Sequence, residues 1–198
     1  MLDVEVIAEP AAAAAALDPV RSRLLAELTE PASAATLAGR VGISRQKVNY
    51  HLRTLEQHQL VAAAGERRWG GITERLLVAT AASYVVSPGA LGAVGADPGR
   101  SRDRMSASYL IAVAARAVRE VGELWRTARD ADKRLATLTI DTEIRFRSAA
   151  DRSAFTRELS DAVATLVERY HDVSDPAGRA HRVVVASYPT PRPENGET

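Results

Sequence analysis

The sequence predicts a mainly α fold with small β elements, an α+β chain, and three observations lead there. Apolar residues recur at three- and four-residue spacing along five segments, the periodicity of helices with one buried face. A glycine-tipped hairpin follows the third of these segments, and one later stretch alternates apolar and polar residues as a strand does. A Gly-, Pro- and Ser-rich stretch, Ser87 to Asp103, parts the chain into two halves and reads as a linker.

The chain has 198 residues, 46% hydrophobic and 26% charged, ordinary values for a globular protein with room for one large domain or two small ones. No apolar run approaches the roughly 18 residues that a membrane helix needs. Met1 to Pro10 carries Asp3, Glu5 and Glu9 without a basic residue, unlike a secretory signal. Cysteine is absent, which excludes disulfides, thiolate metal sites and a Cys nucleophile and suits a cytoplasmic setting. The net charge is +1, unevenly spread: residues 20–75 hold nine basic against five acidic residues, +4, whereas residues 1–19 hold four acids and no base. A basic excess in one stretch is what phosphate binding requires.

Residues 1–17, with the run Ala11 to Ala16, are helix-prone without amphipathic character and predict a short arm or a frayed helix. Asp18-Pro19 opens a helix with Val20, Leu24, Leu25 and Leu28 inward, ending near Thr29-Glu30-Pro31. Ser33 caps a second, short helix with Leu37, Ala38 and Val41 inward, and Gly42 ends it in the left-handed conformation. Ser44 caps a third helix running to Gln57, with Val48, Leu52 and Leu55 on its buried face. Strands Leu60 to Ala64 and Thr73 to Thr80 flank a basic loop from Gly65 through Arg67, Arg68 and Trp69 to Gly71, with Trp69 expected to pack on its own hairpin.

Three short helices, a glycine turn, a capped third helix and a basic hairpin form, in that order, a winged helix-turn-helix over residues 18–86. A core holds the third helix on one side while its other side enters the major groove. Ser44, Arg45, Gln46, Lys47, Asn49, Tyr50 and Arg53 stand outward: Arg suits guanine, Asn or Gln suit adenine, Lys and Tyr suit phosphate. Arg67 and Arg68 on the hairpin would lie along the DNA backbone or in the minor groove. A solvated helix face would carry similar residues; the order of the elements favours DNA contact.

Within this stretch, Leu17-Asp18-Pro19-Val20-Arg21, Leu37-Ala38, Gly42-Ile43-Ser44, the run Val48 to Leu55 and Gln59-Leu60-Val61 resemble the ArsR family of bacterial regulators over about residues 15–85. The resemblance implies a dimeric regulator, usually a repressor released by an effector, with Ser44 to Gln57 as recognition helix. The chain departs from the family twice. Gln59 stands where a helix-capping Gly is usual, so that corner could turn differently, and the thiolate metal motif is missing. The second half is similar, more loosely, to the tails of actinobacterial relatives.

That second half, residues 104–188, predicts a dimerisation and effector region. A helix from Arg104 to Arg134, roughly 45 Å long, carries one long apolar stripe, and Leu110, Val113, Ala117, Val121 and Leu124 on it predict a dimer seam. Leu138, Ile140, Thr142, Ile144 and Phe146 then alternate with Thr139, Asp141, Glu143, Arg145 and Arg147 as a strand. Ala149 to His171 is an amphipathic helix and Arg182 to Tyr188 a closing strand. This strand-helix-strand unit, with Ile144, Phe146, Leu159 and Val163 inward, is the place where a small-molecule effector would lodge. Pro189 to Thr198 reads as a disordered tail.

Neither catalysis nor a cofactor is expected: no Gly-rich phosphate loop precedes a helix, and no nucleophile elbow occurs. His171, Asp172, Asp175 and His181 are the one grouping that resembles a hard-metal site, and no metal is expected there. His51 faces inward and reads as a core histidine with a hydrogen-bonded ring. The expected partners are an operator in double-stranded DNA, a second copy of the chain and a small-molecule effector, with no membrane. The alternative is a ligand- or protein-binding module whose winged helix meets protein.

Overall fold

Asp18 sits where two helices meet, and its carboxylate caps the second of them. In a computed structural model, which describes residues 1–69, 71–172, 174 and 176–191, helix α1 (Pro10–Leu17) ends at Asp18 and α2 (Pro19–Glu27) begins there. The carboxylate accepts from the amides of Val20 and Arg21, each at 3.0 Å, satisfying two of the helix's orphan donors. Those amide bonds, with the Arg21 charge, hold the Asp18 carboxyl below its usual range. The Arg21 guanidinium turns back to α1, donating from Nε to the Ala15 carbonyl at 2.6 Å.

The chain divides into two units, Met1–Leu135 and Ala136–Thr198. In the first, α3 (Ala34–Val41) is capped by Ser33 and closed by Gly42 at φ +72°, where Arg23 donates to the Val41 carbonyl at 3.0 Å. Helix α4 (Arg45–Gln57) is capped by Ser44, and it buries Val48, Leu52 and Leu55. These pack with Leu24, Leu28 and Leu37 in the core, each such side chain contributing about 1.5–3 kcal/mol. Strand β2 (Ala32–Ser33) pairs with β4 (Ile72–Ala79), which pairs with β3 (Val61–Trp69), an antiparallel sheet of order β2-β4-β3. The hairpin strands are longer than expected: Gly65 to Trp69 is not a loop but continues β3 after a bulge at Ala63/Gly65. Gly70 and the Trp69 side chain, expected to pack on the hairpin, lie outside what the structure describes.

The largest departure concerns residues 1–17. They are no loose arm. Strand β1 (Leu2–Ile7) pairs in parallel with β5 (Ala81–Val86), in a register from Leu2 opposite Ala81 to Ile7 opposite Val86. Ala12, Ala13 and Ala15 of α1 are buried in the core. The physical reason is a parallel partner distant in sequence, which local periodicity does not reveal. The expected linker 87–103 is a packed connector. Ser87 is buried, its amide donates to the Ile7 carbonyl at 2.8 Å, and 3-10 turns follow at Pro88–Val94 and Pro98–Arg100.

Helix α5 (Ala107–Asp130) is shorter than Arg104 to Arg134, capped at Ser106. Its stripe is not one seam. Val113, with Ala112, Ala115 and Gly122, is buried within its own unit, so Val113 is corrected from dimer seam to core. A Cβ on Gly122 would lie 2.8 Å from the Val6 side chain, so only glycine lets α5 lie this close to β1. Arg126 donates to the Val6 carbonyl at 3.1 Å, and Arg129 pairs with Glu5 at 2.7 Å. Leu110 and Ala117 are half-buried, while Ile111, Val121 and Leu124 are 64%, 48% and 55% exposed.

In the second unit α6 (Ala149–Tyr170) is capped by Ser148, but the expected strands around it do not form ladders. Among the described residues, 136–146 and 178–191 carry no strand, and no side chain of the unit is buried. The expected strand-helix-strand core is corrected accordingly: Phe146 meets Phe155 at a ring separation of 5.3 Å, while Ile144 is exposed and Leu159 and Val163 are half-buried. Residues 192–198, most of the expected tail, lie outside the described residues. Among those described, no helix is long and apolar enough to cross a membrane.

The corner after α4 turns in the left-handed region that the missing glycine would adopt, with Gln59 at φ +58°. The Leu60 amide reaches back to the Leu55 carbonyl at 2.9 Å and the Gln59 amide to Glu56 at 2.9 Å, so the closing bonds force the conformation despite the side chain. Holding Gln there costs about 1 kcal/mol. Gln59→Gly should therefore raise stability by about 1 kcal/mol and the thermal midpoint by roughly 2–4 °C, read by circular dichroism melting.

Candidate nucleic-acid interface

The sequence at the start of α4 places its polar residues by simple geometry. Val48, Leu52 and Leu55 point into the core, so positions three and four residues apart on the opposite side must face solvent. Arg45, Gln46, Asn49, Tyr50 and Arg53 line one shallow, open depression on the outer surface of α4. Lys47 is exposed beside them. Ser44 accepts from the Lys47 amide at 3.3 Å, so its oxygen is used as the helix cap while its hydroxyl stays exposed. Among the described residues, no carboxylate forms an ion pair with Arg45, Lys47 or Arg53. A helix face with exposed cations, an amide pair and a phenol, the nearest acid to Arg45 being Glu74, which Arg67 already holds, presents donors for phosphate and base edges.

The two wing arginines differ. Arg67, opposite Glu74 in the hairpin register, donates to it at 2.9 Å and to the Thr36 hydroxyl at 3.4 Å. The bond from Arg67, with a second from Ser33, holds the Glu74 carboxyl below its usual range. Arg68 faces Thr73 and is exposed. Arg67 thus ties the wing to the start of α3, and Arg68 is the cation the wing presents. The spacing of residues did not single out Glu74 or Thr36; the hairpin register pairing Arg67 with Glu74 was the signal that could have found the first.

His51 is half-buried, its ring set edge-on to Tyr50 at 5.3 Å. Its Nδ1 is shielded and without a hydrogen-bond partner, so the expected hydrogen-bonded ring is corrected at that nitrogen. Of the weak metal grouping, Asp175 lies outside the described residues. Asp172 instead accepts from Ser174, at 2.7 Å from the amide and 2.6 Å from the hydroxyl. No group of three His, Asp or Glu among the described residues stands ready to hold a metal.

The helices and wing define a helix-turn-helix protein. Residues 16–62 match a family described as a helix-turn-helix domain, a match that spans α2 to the start of β3. Among curated proteins none matches. Of solved structures, NolR from Sinorhizobium fredii is similar at 25% identity, over 36% of this chain and 68% of that chain, with a TM-score of 0.31; at that score it adds nothing to the fold described above. The helix-turn-helix match and the exposed face of α4 support a DNA-binding transcription regulator.

The wing pairing generates a test. Glu74→Gln releases Arg67, so affinity for DNA of any sequence should rise and its dependence on salt steepen by about one phosphate contact. Arg68→Ala should lower affinity for all sequences alike and make that dependence shallower. Gel-shift titrations at two salt concentrations read both.

Proposed function

We propose that this chain is an ArsR-like, sequence-specific repressor, a homodimer acting in the cytoplasm on a palindromic operator. Helix α4 reads base edges with Arg45, Gln46, Asn49 and Arg53; Ser44, Lys47 and Tyr50 contact phosphate, and the wing adds Arg68, with Arg67 bracing it. The observation that carries the reading is the outer face of α4: among the described residues its cations form no ion pair, in a helix whose other face is locked into the core. The helix-turn-helix match over residues 16–62 supports it. A protein that used its winged helix to meet protein would show little salt-dependent affinity for DNA, and this is the contrast the binding test exploits.

Dimerisation is proposed through the face of α5 that its own unit leaves bare, Ile111, Val121 and Leu124. A twofold dimer sets two recognition helices about 34 Å apart, in successive major grooves, and links two modest affinities into one strong one. A small-molecule effector, in this reading, acts by shifting α5, because Arg126 and Arg129 couple that helix to β1 and so to the reading head.

Asn49→Ala or Arg53→Ala should cost about 1–3 kcal/mol for the specific operator while leaving affinity for random DNA nearly unchanged. Equal losses on both would contradict base reading. Changing Val121 and Leu124 together to Glu should give monomers by light scattering and weaker operator binding; an unchanged dimer would remove α5 from the interface.

A further inference from the structure

The second unit presents a puzzle of its own. Residues 136–191 bury no side chain among the described positions, and such a unit has nothing to offset the entropy of ordering it. Its segment 138–147 is patterned as a strand, yet residues 134–147 make no backbone–backbone hydrogen bond among the described residues. Leu138, Ile140 and Ile144 are 86%, 83% and 50% exposed. Phe146 meets Phe155 of α6, which shows which face of the segment leans on the helix. Arg145 and Glu143 pair with each other at 3.5 Å, exposed, so that a second copy would exchange this pair for two between the copies. The segment has the pattern of a strand and no partner for its backbone among the described residues.

We propose that residues 141–147 form an antiparallel strand pair with the same residues of a second copy of this chain, with Ile144 on the twofold axis. The charges choose the partner and the register. Asp141, Glu143, Arg145 and Arg147 lie on one face of the strand by its two-residue period. With Ile144 opposite itself, Glu143 of each copy faces Arg145 of the other, and Asp141 faces Arg147, so every charge meets its opposite. Sliding the pair by two residues sets Glu143 on Glu143 or Arg145 on Arg145, and a parallel in-register pair sets every charge on its like. On the other face Ile144 meets Ile144, and Thr142 lies across from Phe146. Residues 176–191, the other extended stretch of the unit, contain no acid to meet Arg145 and Arg147.

Ten apolar side chains of the unit, in 138–144, the end of α6 and 183–188, are 48–86% exposed. At roughly 60–120 Å² each when fully covered, they leave several hundred Å² of apolar surface bare in each copy, of which the strand pair itself covers Ile144. Pairing satisfies the open backbone edge and the exposed face together, as exchange of an identical element between protomers does. The inference concerns self-association of the second unit and stands apart from DNA reading by α4.

The absence of cysteine makes the test clean in the full chain. Ile144→Cys places two thiols directly opposite, within the Cα separation that a disulfide spans. Ile140→Cys places them eight residues apart along the pair, roughly 26 Å. Under mild oxidation, Ile144→Cys should convert mostly to covalent dimer and Ile140→Cys should stay monomeric on denaturing gels. Equal cross-linking at both positions would show a parallel or unspecific contact, and cross-linking at neither would show that the strand packs elsewhere; each overturns the proposal. Glu143→Arg should weaken dimerisation about tenfold, and adding Arg145→Glu should restore it, because the swapped pair is again complementary. Failure of the restoration overturns the register. Operator binding by the uncross-linked variants, measured in parallel, reports on α4 separately, so loss of one reading leaves the other standing.

Discussion

The reading head depends on a clamp made far from it. Strand β1 pairs with β5 in parallel, and α5 lies across β1, where Gly122 admits the Val6 side chain and Arg126 and Arg129 hold its backbone and Glu5. Without that clamp α1 would lose its anchor, because β1 leads into it. The clamp and the helix-turn-helix share one core: Ile7 of β1 and Ala79 at the end of β4 belong to the same buried cluster as Val48 and Leu55 of α4. The orientation of α4 is therefore set in the core that β1 enters, and α5 meets that core through β1. Interiors packed at this density transmit a displacement rather than absorb it.

What could be read from the sequence was what local chemistry encodes. Asp18, Ser33 and Ser44 cap helices where the sequence places them, whereas the caps Ser106 and Ser148 were not singled out, and the spacing of Val48, Leu52 and Leu55 identifies the buried face of α4. The outward set from Arg45 to Arg53 follows from that face alone. The β1–β5 pair was not legible, although Leu2, Val4 and Val6 alternate with Asp3 and Glu5, because a parallel pair needs a partner that lies about 80 residues away. The split of the α5 stripe was hidden for a related reason: periodicity shows that a helix has an apolar side, not how many neighbours share it. In the second unit the alternation at 138–147 predicted a strand that does not form, because a ladder also requires a partner, and none of the described residues supplies one.

The electrostatics of the first unit separate structural from available charge. Arg21, Arg23, Arg40, Arg67, Arg75 and Arg129 are committed, to helix-end carbonyls or to Asp18, Glu27, Glu74, Glu56 and Glu5. Exposed pairs of this kind add little stability individually; their effect here is to withdraw cations from the surface. Arg45, Lys47, Arg53 and Arg68 form no ion pair among the described residues, and they lie on α4 and the wing. The +4 excess of residues 20–75 is thereby concentrated on the two elements of a winged helix that approach a duplex.

The parallel pairing of β1 with β5 also orders events in time. Residues 2–7 leave the ribosome well before residues 81–86, have no partner until those follow, and have no covering helix until Gly122 to Arg129 are made. Closing a loop of about 80 residues costs roughly 4 kcal/mol in chain entropy, so this contact forms late, after the local helices and the hairpin have appeared. The helix-turn-helix can take shape during synthesis while its first strand waits. Only when α5 has emerged does the strand lock, so the reading head becomes rigid at the moment the helix proposed to join two copies becomes available, and assembly follows folding rather than competing with it.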